Sequence, residues 1–111
     1  MASRMIRKLT YHPKLYLGNG ISGKKLDKIK KKLHTRPLLA KVSLITIASN
    51  PKEQLDILDA RLIAQPYYKD LELYVVGIAS DHEEAVALVE QIVKECLKER
   101  GDCALKEYLL C

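Results

Sequence analysis

Two stretches constrain this chain more than any others: "VSLITIAS" (42–49) and "LELYVVGIAS" (71–80), nearly unbroken runs of β-branched and aliphatic residues. Such runs suit strands covered on both faces. Each is followed by a residue able to cap a helix and then by apolar residues at helical spacing. After the first, Asn50 stands as N-cap, Pro51 at the first helical position and Glu53 three residues beyond the cap, a capping-box pattern. Leu55, Leu58 and Leu62 then share a face, with Ile57 and Ile63 beside it, and Pro66 closes the segment. After the second, Asp81 with Glu84 marks a helix start. Ala85, Val86, Leu88, Val89, Ile92, Val93, Cys96 and Leu97 supply the apolar positions to about Arg100. Gly101 offers the left-handed residue that ends such a helix. The two units align at an offset of 31 residues, with Ile-Ala-Ser repeated and Leu55, Leu58 and Leu62 matching Val86, Val89 and Val93. Duplication, or the same physics acting twice, accounts for the likeness. Either way the spacing predicts a right-handed crossover and a parallel strand pair.

The expected fold class is therefore α/β, in one domain over residues 1–111. Its core is a parallel strand–helix–strand unit, with an amphipathic basic N-terminal helix and a long C-terminal helix. "LTYHPKLYL" (9–17) alternates weakly, and Pro13 restricts it to an edge strand or a break, so residues 1–13 read as irregular or edge. From Ser22 to about His34 the apolar residues Leu26, Ile29 and Leu33 form one helical stripe, and Pro37 ends the run. The tail "DCALKEYLLC" (102–111) reads as a short helix capped by Asp102. Trp and Phe are absent and six residues are Tyr, so the core must be aliphatic, with tyrosines at its margin or on a tyrosine-rich exterior.

Charge divides the chain. Residues 1–36 hold eleven Lys/Arg and one acid, a balance of +10, whereas residues 37–111 hold eight Lys/Arg and thirteen acids, a balance of −5. A basic front on an acidic body suits a polyanion site, internal complementarity or head-to-tail contact between copies. No apolar stretch reaches the ~20 residues that span a bilayer, which predicts no membrane segment, and the N-terminus lacks a signal-peptide pattern. Cys96, Cys103 and Cys111 form no CxxC pair, and with His12, His34 and His82 scattered there is no zinc spacing. Free thiols and a reducing cytoplasm are expected, with no metal or cofactor.

Three features compete for a functional reading. Gly18, Gly20 and Gly23 have the Gly-x-Gly-x-x-Gly spacing of a dinucleotide site. However, the strand before them is Pro-broken, and the next strand ends in Ser49 and Asn50 with no acid for a ribose; a flexible turn is the simpler account. Lys24, Lys25, Lys28, Lys31 and Lys32 lie off the apolar stripe of the first helix, a surface that could neutralise phosphates or attract an acidic protein. No base-reading or stacking side chain is interleaved with them. Finally, if the two strong strands were neighbours and parallel, Ser49, Asn50, Ser80, Asp81 and His82 would meet at one sheet edge, where open α/β sheets collect small ligands. His82 with Asp81, Glu83 or Glu84 could serve as a proton-transfer group; no Ser/His/Asp or Cys/His arrangement can be argued beyond that, so the enzyme question stays open, with the reading leaning to a binding domain.

Taken together, "YLGNGISGKKLDKIKKKL", "LITIASNPKEQLDILDARLIAQPYYK", "VVGIASDHEEAVALVEQIV" and "GDCALKEYL" resemble a group of small bacterial proteins whose domain has no assigned function. The resemblance implies a bacterial, cytosolic, single-domain protein and transfers no activity or site residue. The expectation is an interaction or regulatory domain whose partner is another protein or a second copy. Nucleic acid binding through the basic helix is the alternative, and a small molecule or phosphate at the strand ends is the second.

Overall fold

The structure is a computed structural model that describes residues 8–48, 54–68 and 72–110. It is a mixed α/β domain in three layers. A four-stranded sheet contains β1 (Lys8–Leu17), β2 (Ser43–Ile47), β3 (Leu55–Asp59) and β4 (Glu72–Ala79) in the order β1-β4-β2-β3. Helix α1 (Gly23–Thr35) lies on one face, and α2 (His82–Arg100) and α3 (Leu105–Leu110) on the other.

The sheet corrects the expected parallel core. β4 pairs with β1 in parallel, but β2 runs antiparallel to both β4 and β3. Residues 55–59 are the cause. "LDILD" carries its leucines at helical spacing, yet it also alternates with period two, and in the fold it completes a hairpin with β2. Leu55 and Ile57 face the α2 layer beside Ile45, while Asp59 caps a 3-10 turn (Ala60–Ala64) by accepting the Arg61 N–H. That turn sends Ala60 and Ile63 into the α1 layer and leaves Leu62, an expected core residue, 37% exposed. Pairing the edge of β2 satisfies backbone groups that a helix would leave open, and tertiary context outweighs the local helical signal. The start signal at Asn50, Pro51 and Glu53 lies outside the described residues.

Other expectations hold. β1 is an edge strand with its irregularity at Pro13: between Tyr11 and Tyr16 the register slips, so that Tyr11 opposes Val75 and Tyr16 opposes Gly77. His12 fastens this bulge, its Nδ1 accepting the Lys14 N–H and its Nε2 donating to the Leu109 carbonyl of α3 at 2.9 Å. α1 buries Ile29 and Leu33. α2 buries Ala85, Leu88, Ile92 and Cys96 and ends at Gly101, whose φ is +80°, although Val86 and Leu97 of the expected face are exposed. Gln54 caps α3, its Oε1 accepting from the N–H groups of Leu105 and Lys106, while Asp102 takes that of Ala104. The tyrosines correct the expected exterior: Tyr16 is buried, and Tyr11, Tyr68, Tyr74 and Tyr108 are half-buried. No helix among the described residues is long and apolar enough to cross a membrane.

Candidate functional site

The glycine motif leads into the chemistry of the α2 N-terminus. Gly18 extends the β1–β4 ladder by donating its N–H to the Ile78 carbonyl at 2.9 Å. A Cβ at Gly18 would run into the Glu84 carboxylate. That carboxylate accepts from the Ser80 N–H at 2.8 Å, the Ser80 hydroxyl at 2.9 Å and the Asn19 N–H at 3.1 Å. Gly20 and Gly23 have φ of +80° and +51°, conformations that glycine adopts without strain. The loop thus holds an anion, but the anion is the protein's own side chain. The Ser80 N–H first, then the Ser80 hydroxyl and the Asn19 N–H, hold the Glu84 carboxyl below the usual range, with a weaker pull from Lys25. Asp81 completes the start of α2 by accepting the Glu84 N–H at 2.8 Å.

Beside this helix start lies a cleft of about 350 Å3. Ser80, Asp81 and His82 line one side, Ser43 and Ile57 lie on the strands, and Lys41, Asp59 and Arg61 complete the rim. Three of the expected ligand residues therefore share a cavity. Ser49 and Asn50 lie outside the described residues. Ser43, not Ile47, opposes Ala79, so the end of β2 is displaced by four residues, about 13 Å at strand rise. Ser43 and Asp59, which oppose one another across the hairpin, line the cleft beside the helix start. Periodicity could not name them, because their convergence depends on strand direction. Asp59 and Arg61 form a bidentate pair, Nε to Oδ1 at 3.0 Å and the second nitrogen to Oδ2 at 2.6 Å, and those bonds lower the Asp59 carboxyl. Among the described residues no group of three or more metal-ligating side chains is positioned to hold a metal ion.

The second surface is α1. Lys24, Lys25, Lys28, Lys31 and Lys32 are all exposed, and none of them takes part in an ion pair among the described residues. Lys28 has a lysine at each of its neighbouring helical positions, three and four residues before and after it. The first turn contains no acid, and Ser22 makes no side-chain cap. The helix is held to the sheet by Ile29 and Leu33, by a 3.1 Å hydrogen bond between the Tyr11 hydroxyl and His34, and by Lys30 over the Tyr11 ring at 4.7 Å. Directly after it, a 3-10 turn (Pro37–Leu39) presents Leu38 and Leu39 at 67% and 51% exposure. Leu38 and Leu62 share a shallow depression of about 470 Å3 with Ala64, and the Asp59–Arg61 pair forms the wall between it and the first cleft. Sequence reading missed these leucines, since "PLL" after a helix carries no periodicity.

No protein family, curated protein or solved structure matches this chain. The functional reading rests on the geometry of these two surfaces.

Proposed function

We propose that this protein is a non-enzymatic interaction domain that docks an acidic protein partner on the lysine face of α1 and the leucines that follow it. The observation that carries this reading is the electrostatic cost of the face. Like charges three and four residues apart each destabilise a helix by about 0.2–0.5 kcal/mol, and Lys28 faces such a neighbour on all four sides. Lys24 and Lys25 also stand at the positive end of the helix dipole, unfavourable by a few tenths of a kcal/mol each. An acidic partner removes both penalties on binding, and long-range attraction speeds the encounter.

Leu38, Leu39 and Leu62 favour a protein over a nucleic acid. Exposed leucines at the end of the basic face provide an apolar anchor of the kind found at interface centres, whereas single-stranded nucleic acid calls for stacking aromatics. The test is a titration of the full chain with a synthetic Glu- and Leu-rich helical peptide and with a nucleic acid oligomer of equal charge, at low and high salt. The peptide is expected to bind more tightly. Its binding should weaken with salt, and also in Lys28→Glu/Lys32→Glu and in Leu38→Ser/Leu39→Ser. Failure of the peptide to bind at low salt, or indifference to the leucine change, overturns the reading; tighter binding of the oligomer transfers the face to nucleic acid.

A further inference from the structure

We propose that the cleft at the start of α2 binds a small carboxylic acid with a compact apolar body. Ser43 is the observation that points to a ligand. It forms the floor of the cleft and is only 7% exposed, and its hydroxyl has no hydrogen-bond partner among the described residues. A buried hydroxyl without a partner is costly and calls for one. It also lies on the α2 side of the sheet, the side it shares with Ile45 two residues on, beneath the helix start.

The charges around it select the ligand. His82 is the first residue of α2, and its N–H finds no acceptor among the described residues, because Asp81 takes the N–H of Glu84 and the Ile78 carbonyl is taken by Gly18. An open first-turn N–H at the positive end of a helix favours an anion. Arg61 is already matched by Asp59. Lys41 on the rim has no ion pair among the described residues, so its ammonium is open to a ligand, while its charge and that of Asp81 leave the lining neutral as a whole. In a lining of two cations and two carboxylates, a doubly charged phosphate brings twice the repulsion from Asp59 and Asp81 that a single carboxylate does. Ile57 supplies aliphatic surface to the lining, and the cleft volume lies at the small end of the ~300–1,000 Å3 range of ligand sites. The ligand carboxylate is placed to accept from Ser43, from the His82 N–H and from Lys41, with its apolar group against Ile57.

The experiment is an amide chemical-shift titration of the full chain with isobutyrate, with its uncharged isostere isobutyramide and with inorganic phosphate. Isobutyrate should produce saturable shifts centred on Ser43, Ser80 and His82. Isobutyramide should bind at least about tenfold more weakly; Lys41→Gln should weaken isobutyrate about tenfold or more and Ser43→Ala about fivefold, as expected for loss of one charged and one neutral hydrogen bond. Lys41 is a rim residue, so its variant keeps the test open if Ser43→Ala perturbs the fold. The proposal is overturned by the absence of saturation up to about 50 mM, by shifts centred on the α1 lysines instead, or by affinity unchanged in Lys41→Gln. Tighter binding of phosphate than of isobutyrate overturns the ligand class.

Discussion

At the scale of single residues, Gly18 and Glu84 form the contact that decides what the glycine motif is for. Sixty-six positions apart in the chain, they touch because β1 and α2 both leave the same end of the sheet. Gly18→Ala places a methyl group against the Glu84 carboxylate, and overpacking of this kind costs about 1–3 kcal/mol. The expected signature is non-additive. In a Glu84→Ala background the Gly18→Ala penalty should largely vanish, because the clashing atoms are gone, and urea denaturation of the four proteins in the cycle measures that coupling. Glu84 also sets an acid limb of stability. Its carboxyl is held low by the Ser80 N–H and hydroxyl, and Glu95 is held low first by the Tyr16 hydroxyl at 2.7 Å. In both cases the unfolded chain binds the proton more readily. The stabilisation is therefore complete above the ordinary glutamate value of about 4.3 and is lost as pH falls through the lower folded values. Urea midpoints measured from pH 6 down to pH 3 should fall on that limb, and Glu84→Gln should flatten it.

At the scale of elements, α1 and α2 contrast in how they begin and what they expose. α2 has an N-cap, two acids in its first turn and basic residues in its last, each agreeing with the helix dipole. α1 has no acid in its first turn and no side-chain cap, and it depends on burial of Ile29 and Leu33. Lys28→Glu should therefore stabilise the free protein by about 1.5–4 kcal/mol, since four repulsive pairs become attractive, while weakening the acidic peptide. Thermal melts and the peptide titration on one variant measure the opposed effects. The same scale explains how much of the fold was legible. Both ends of α2 and the stripe of α1 follow from residues within a few positions of each other, so the sequence shows them. "LDILD" supports a helix or a strand equally well. The choice went to the strand because β2 had an edge to fill, and that edge is made by residues elsewhere in the chain.

At the scale of the whole molecule, the division of charge becomes a division of faces. The lysines of α1 lie on one side of the sheet, and α2, with Glu83, Glu84, Glu90, Glu95 and Glu99 among its residues, on the other. Copies meeting through opposite charges would join head to tail, the kind of contact that closes into rings or grows into filaments. The foreign-partner reading instead predicts a monomer at every ionic strength. Light scattering on the eluting protein at low and high salt checks this, and a species that grows at low salt would make a second copy the partner.

Sequence alone determined the elements whose signals are local: two covered strands, a basic amphipathic helix stopped at Pro37, and a long helix running from Asp81 to Gly101. It also showed that the lysines share a face and that Ser80, Asp81 and His82 stand at a helix start, because capping and periodicity act over one or two turns. Strand direction was decided only in the tertiary structure, and with it the company those residues keep. Reversing β2 brought Ser43, Asp59 and Arg61 to the helix start and carried Ile47 away from it. The physical reason is that backbone pairing and burial on two faces are satisfied by the whole sheet at once, whereas each strand segment is compatible with either direction.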